Sequence, residues 1–434
     1  MGYGNLGDAA TQEALIENIR KRMPDAEIVG FSLNPEDTKM RHDIRSYSIT
    51  HWHPGLAKLT QTGTSDIHKV RSLKSVLKQM PVLSWIIRRV LYLLREVVHL
   101  KRSFKVLRSM DSLIIAGGGQ LSELWRGPWS HPYNVFKFSV LTKVAGRKLI
   151  FLNLGAGPLD SGLSKAFVKW SVDLADYVSF RDTASQTLVR RLGVRRDTHV
   201  FPDSAYALDL SRFNTGAAVR VLRPIVGINP IGFCDPRIWP KKDEAAYSRY
   251  LDKMADLSLW LIEHNYRVRV YSGEASVDIY ALEDLKARLI NSVSGNDVDV
   301  VFLPPANSVQ DLLTEMCSLD FVITSKFHGI VFSHLLAKPV IAISYHRKID
   351  DLMKSVGHDR YCLSIEDFDI KHVEDKFMSL AGEVHSLKAM FDQTTGDYSA
   401  RLRTQFDRLF VPEGVPKCGD TVEAEGDSVV TTPI

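Results

Sequence analysis

No stretch of 18 uncharged apolar residues occurs in the sequence, so no transmembrane helix is expected. Cysteine is scarce. Cys234, Cys317, Cys362 and Cys418 lie far apart and none falls in a CxxC pair. That excludes a paired-cysteine zinc site and a disulfide scaffold, and it suits a reducing cytosol. An excess of one charge is also missing. The 55 Lys and Arg stand against 51 Asp and Glu, a net charge of +4, which does not fit a dedicated nucleic-acid binder. GxSxG, a P-loop lysine and HExxH are all absent, so no metal need be invoked. The opening Met1-Gly2-Tyr3-Gly4 has neither the basic nor the apolar region of a secretory signal. What is present is an ordinary globular balance, 45% hydrophobic and 24% charged over 434 residues, enough for two or three domains.

Short apolar runs alternate with helical patterns along most of the chain. Strands are expected at 27–31, 112–115, 148–154, 177–180 and 199–201, and a second series at 225–229, 267–271, 299–302, 321–324 and 339–343. Amphipathic stretches at 11–22, 164–175, 245–264 and 309–318 lie between them. Strands apolar on both faces and separated by helices indicate parallel βαβ units. The expected fold is therefore α/β, with two doubly wound Rossmann-like domains of about five strands each. They cover 1–210 and 220–385, with a polar break at 209–224, a C-terminal helix at 386–410 and a disordered tail at 411–434. Ligands of such folds sit at the carboxyl ends of the strands, which is where chemistry is sought.

Residues 56–110 differ from the rest. They carry twelve Lys and Arg against Asp66 and Glu96, a local charge of +10. Leu83, Ile86, Ile87, Val90, Leu91, Leu94, Val97 and Val98 recur at helical spacing, with Arg88, Arg95, Glu96 and His99 largely opposite. Two readings stay open. One is a helical insertion that buries Leu83, Ile87, Leu94 and Val98 against the first domain. The other is a basic amphipathic helix lying on an anionic membrane.

Several loops carry the residue types that ligand chemistry needs. Gly2-Tyr3-Gly4-Asn5-Leu6-Gly7 matches G-x-G-x-x-G, but no strand precedes it and Phe31-Ser32-Leu33-Asn34 supplies no acid, so a dinucleotide site is not favoured. The glycines still permit a tight turn and close backbone approach, with a helix expected from about Ala9 and Asp8 as its N-cap. Gly117-Gly118-Gly119 and then Gln120 follow an apolar run, leaving bare amides at a strand end. Arg181, after Ser179-Phe180, is placed as an anion clamp, and Asp182 as a helix cap. The richest loop is Ser325-Lys326-Phe327-His328-Gly329, ahead of a helix expected from about Ile330. Helix amides and Lys326 suit a phosphate or carboxylate, and His328 can exchange a proton near neutral pH. Ser344-Tyr345-His346-Arg347-Lys348 adds cations that can complete an anion pocket.

These pieces, in this order, resemble the polysaccharide pyruvyl transferase family. The likeness covers roughly residues 2–360 and rests on Gly2 to Asp8, Gly117 to Gln120, Ser179 to Asp182, Pro202-Asp203-Ser204-Ala205, Ser325 to Gly329 and Ser344 to Lys348. The resemblance implies a GT-B-like pair of domains with the active site in the cleft. It implies transfer of an enolpyruvyl-derived group from phosphoenolpyruvate to a sugar of a cell-surface polysaccharide or exopolysaccharide, commonly as a ketal, with no cofactor beyond that donor. The acceptor saccharide is free or lipid-linked. The location is cytoplasmic, with peripheral contact at the inner face of the membrane through residues 56–110 as its extension, and no nucleic acid is a partner. The site it implies is His328 for proton transfer. Lys326, Arg181, Ser325, Gly329, Asn5, Asp8, Gly117, Gly118, Gly119, Gln120, Tyr345 and Lys348 are the binding residues. Two departures stand out. Family members usually carry Arg-x-His where this chain has Lys326-Phe327-His328, and the strand expected before the glycine loop is missing. A sugar-nucleotide glycosyltransferase on the same fold is the alternative, and a non-catalytic binding protein the second.

Overall fold

The computed structural model describes residues 4–51, 81–124, 127–213, 223–274, 277–290 and 299–411, with side chains of the 81–88 stretch excepted. All described sheets are parallel. The second domain is a six-stranded sheet in the order β12-β11-β10-β7-β8-β9, made of Ile225–Asn229 (β7), Arg267–Val270 (β8), Val300–Phe302 (β9), Phe321–Thr324 (β10), Val340–Ser344 (β11) and Cys362–Ser364 (β12). β7, β10 and β11 are buried along their whole length, as central parallel strands covered on both faces must be. β12 was not expected from the sequence; it is a three-residue edge strand with one exposed residue.

The first domain divides differently from the expected single five-stranded sheet. Ser112–Ala116 (β3), Lys148–Leu154 (β4), Tyr177–Phe180 (β5) and His199–Val200 (β6) form one sheet in chain order. Val29–Ser32 (β1) pairs instead with Arg45–Ser48 (β2) in a separate two-stranded sheet. β2 reads Arg-Ser-Tyr-Ser, a half-exposed strand without the apolar run by which the others are recognised. The expected break at 209–224 lies partly, and the expected tail almost wholly, outside the described residues.

The first helix, α1 (Leu6–Arg22), starts three residues earlier than expected. Its N-cap is Asn5, whose side chain accepts a hydrogen bond from the Asp8 amide at 3.1 Å, so Asp8 sits in the first turn rather than at the cap. Ala9, Ala10 and Ala14 let α1 press closely into its surroundings, and with Leu6, Leu15 and Ile19 they join a core that runs from the first domain (Ile150, Leu152, Tyr206) into the second. The last helix, α13 (Val384–Phe410), crosses back to the first domain. Arg22 Nε donates to Asp407 at 2.6 Å, and Gln405 Nε2 lies within 3.0 Å of Asn153 Oδ1, Tyr177 Oη and Ser179 Oγ. The two domains are thus clasped by the first and last helices.

Gln405 is 2% exposed, so its removal strands buried polar partners. Gln405→Ala is expected to cost about 1–3 kcal/mol. Urea unfolding of the two proteins checks this; equal midpoints would show that the clasp carries no energy.

Candidate active site

The site begins at the end of β10. Thr324 Oγ1 donates to Asn229 Oδ1 at 3.1 Å and accepts from the Lys326 amide at 3.0 Å, which turns the chain out of the sheet. The next helix, α10 (Phe327–Leu335), starts three residues earlier than expected and places His328 in its first turn. Gly329 makes that start feasible, because a Cβ there would lie 2.6 Å from Thr324 Oγ1. Ser325 is buried and its hydroxyl meets Tyr250 Oη at 3.3 Å, so it shapes the loop from below.

From this turn His328 reaches across to the first domain. Its Nε2 lies 3.4 Å from Thr11 Oγ1 and 3.9 Å from Asp203 Oδ1. Its Nδ1 lies over Gly7, where a Cβ would come within 2.1 Å. The glycine of the opening loop is therefore required by the imidazole, not by a dinucleotide. Asp203, 3% exposed, is the hub. It accepts from Arg181 Nη1 at 3.1 Å, from the Ala205 amide at 3.0 Å and from Thr11 Oγ1 at 3.4 Å. Burial alone would push its carboxyl up. The contact with His328, the Arg181 charge and the Ala205 amide together outweigh burial and hold it well below the usual range. Asp203 stays ionised.

Arg181 leaves the end of β5 and its guanidinium carbon lies over Phe327, 4.1 Å from the ring centroid. Gly155 gives it room, since a Cβ there would sit 2.9 Å from Nε. The side chain is only 6% exposed, and its buried Nε makes no hydrogen bond among the described residues but lies 3.7 Å from Asp182 Oδ2. Arg181, Asp203 and Phe327 form one wall of a cavity of about 510 Å³ between the domains. Lys348, Lys354 and Arg401 bring three more cations to it, with Asp182 and Asp351 as its other carboxylates. The positive field is felt by His346, which caps the helix α11 (Arg347–Ser355) by accepting from the Lys348 amide at 3.2 Å. Burial and then the charges of Lys348 and Arg181 lower its pKa to about 4, so it stays neutral.

Lys326 requires a correction. It is not an open anion clamp, because its Nζ lies 2.8 Å from Glu274 Oε2 and 2.7 Å from Asp278 Oδ1. Both carboxylates come from the chain after β8, which the sequence spacing does not bring near. Burial pushes the Asp278 carboxyl up to about 6, against the opposing charge of Lys326. With all three groups charged the cluster carries one net negative charge, which repels phosphate rather than attracting it.

Of the expected binding residues, the cavity brings together Arg181 and Lys348 only. Tyr345 stands beside it, packed on Trp239 at 5.4 Å, and its ring carries the Lys348 ammonium at 5.3 Å. Asn5 caps α1 and approaches Glu274 at 3.5 Å; Asp8 is half-buried nearby. Gly117 and Gly118 take positive φ of 59° and 63°, and a Cβ on Gly117 would lie 2.2 Å from Thr11 Cγ2, so this turn is needed to seat α1. Gly119 faces open space and Gln120 is half-buried. Sequence reasoning passed over Thr11 and the central part of Asp203. The signal available was the position of Pro202-Asp203 at the end of a first-domain strand.

Two outcomes follow. Gly7→Ala must displace His328 and is expected to reduce transfer about as much as His328→Ala, with little change in the circular dichroism spectrum. Lys326→Ala leaves Asp278 buried without its counter-charge and is expected to cost about 3–5 kcal/mol. Because Asp278 keeps its proton to a higher pH folded than unfolded, rising pH favours the unfolded chain. Without the Lys326 charge that holds it down, the Asp278 carboxyl is raised further in the variant, so the loss should grow as pH rises above about 6, where the parent's Asp278 ionises. Denaturant titrations at pH 5 and pH 8 check the sign, and a loss that shrinks with pH contradicts it.

No curated protein matches this chain in sequence. Among solved structures, a putative UDP-N-acetylglucosamine 2-epimerase from Listeria monocytogenes superposes with a TM-score of 0.56 at 10% identity, covering 94% of this chain and 95% of that one. The Anabaena protein HepE in complex with UDP gives 0.51 at 15% identity, covering 92% and 94%. The UDP-GlcNAc 2-epimerase of Methanocaldococcus jannaschii gives 0.51 at 10%, covering 84% and 88%. At such identities the likeness is one of fold, and it places the two domains in the GT-B architecture. The model of one family, described as polysaccharide pyruvyl transferase, matches residues 5–347. That span holds Gly7, Thr11, Arg181, Asp203 and His328, and by it the chain belongs to the polysaccharide pyruvyl transferase family.

Proposed function

We propose that the chain transfers a pyruvyl group from phosphoenolpyruvate to a saccharide, and that the donor occupies the cavity beside Arg181. The single observation that carries this reading is the buried Arg181 guanidinium on a cavity that also receives Lys348, Lys354 and Arg401. A donor with one phosphate and one carboxylate needs several fixed cations, and this is where the described residues gather them. Asp203 holds Arg181 in place and lies beside His328, an arrangement suited to orienting a proton-transfer group.

The chemistry balances as follows. An acceptor hydroxyl oxygen bonds to C2 of phosphoenolpyruvate while C3 takes a proton and becomes a methyl group. A second hydroxyl then bonds to C2 as the bond to the phosphate oxygen breaks. One hydroxyl proton has gone to C3 and the other leaves with phosphate. His328 is the proposed carrier of one of these protons. The acceptor is proposed to be a surface or exopolysaccharide sugar, free or lipid-linked, and the reaction is placed in the cytoplasm. The described cysteines, Cys234, Cys317 and Cys362, carry free thiols and suit a reducing compartment. The family match does not favour the glycosyltransferase alternative.

The test is phosphate release from phosphoenolpyruvate in the presence of acceptor glycans. His328→Ala is expected to lower kcat by ~10²- to 10⁴-fold. Lys348→Ala is expected to raise the donor KM by about 10- to 100-fold, the worth of one charge-assisted contact. Turnover of UDP-sugars but not of phosphoenolpyruvate would overturn the donor assignment.

A further inference from the structure

The helix α3 (Pro81–Arg108) is the part of the basic segment that the structure describes; residues 52–80 lie outside it. Its orientation reverses the sequence expectation. Glu96, placed opposite the apolar stripe by spacing, faces inward. There Lys137 Nζ donates to it at 3.1 Å, Tyr133 Oη at 3.0 Å, and His51 Nδ1 also contacts it. Ser103 and Leu107 are buried on the same side, and His99 Nε2 reaches the Ser48 carbonyl at 3.0 Å. The described part of the apolar stripe, from Val90 onward, therefore faces water, while the side chains of Leu83, Ile86 and Ile87 lie outside the described residues. Leu93 is 62% exposed and Leu94 57%, with Leu91, Val97 and Val98 close behind. The insertion does not bury Leu94 and Val98 against the first domain, which corrects the packing reading.

The outward charge is of one sign. Glu96 is the helix's only acid and it is 7% exposed, whereas Arg95, Lys101, Arg102, Lys105 and Arg108 are all exposed. No carboxylate pairs with any of these five among the described residues. Exposed aromatic rings stand near this face, beside α4 (His131–Val144), against which α3 packs, and on α5 (Gly162–Leu174). Tyr133, bonded to Glu96, lies 5.4 Å from the Trp129 ring, and Phe136 lies 5.5 Å from Trp170. Trp129 is 64% exposed and Trp170 49%. Apolar and tryptophan side chains set among unpaired cations match the boundary of an anionic bilayer, where acyl chains meet negative headgroups.

We propose that α3, with the Trp129 and Trp170 face beside it, is a membrane-binding surface that rests on anionic phospholipid. The buried Glu96 cluster is what fixes it, because it holds the helix so that Leu93 and Leu94 cannot turn inward. No described helix is long and apolar enough to cross a membrane, so the contact is peripheral. The inference does not depend on the donor or the acceptor, and its test contains neither.

The experiment is flotation of the full chain with vesicles of phosphatidylcholine alone or mixed with phosphatidylglycerol. Binding is expected only to the anionic vesicles, and to fall by about tenfold or more between low and high salt as the charges are screened. The double variant Leu93→Glu with Leu94→Glu, at solvent-facing positions, should abolish binding while its thermal unfolding stays that of the parent. Arg95→Ala with Arg102→Ala should weaken it and flatten the salt dependence. No binding to anionic vesicles at low salt overturns the proposal. So does binding indifferent to lipid charge. Sedimentation showing a dimer that the Leu93 and Leu94 changes dissociate, without vesicle binding, assigns the face to a second copy instead.

Discussion

A carboxylate kept ionised out of water is costly unless charges surround it, and Asp203 is such a group at the meeting point of the two domains. Its partners come from four places: Arg181 after β5, Thr11 on α1, the Ala205 amide of the following turn and His328 at the head of α10. Each partner is held by a further constraint. Gly155 leaves space for Arg181, Gly7 for His328, and Gly117 for the Thr11 methyl. The glycine-rich loops thus serve one buried charge, and through it they fix where the cavity's deepest cation points.

This arrangement requires the domains to stay in register, and the chain's two ends provide for it. α1 belongs by sequence to the first domain and packs its alanine-rich side into a core shared by both. α13 belongs to the second and returns to the first through Gln405 and Asp407. His328 can meet Asp203 only while both hold. The cavity then collects cations from both domains, and two of them, Lys348 and Arg181, add to burial in keeping His346 neutral nearby.

Much of this was legible in the sequence. Strands buried on both faces announce themselves as apolar runs, and the residues that follow them, Arg181 and His328 among them, are placed by that alone. Edge strands are different: Arg45–Ser48 and Cys362–Ser364 bury little and leave no run to read. Lys326 looked like an anion clamp because its partners, Glu274 and Asp278, follow β8, two strands away across the sheet, which sequence distance hides. Asp203 stood out only as a strand-end acid, since its importance lies in partners drawn from the whole chain. The basic helix shows the limit of periodicity most clearly. Spacing identified the apolar stripe correctly, but three polar contacts to Glu96 decide which way the stripe faces.

The most direct measurement is a crystal structure of the chain with phosphoenolpyruvate bound. The account predicts that the donor's anionic groups lie within hydrogen-bond distance of the Arg181 guanidinium and Lys348 Nζ, with its enol carbons at the end of the cavity lined by Asp203 and Phe327, next to His328. Donor density at the Gly117–Gly119 turn or against Lys326, with the Arg181 cavity empty, would contradict it.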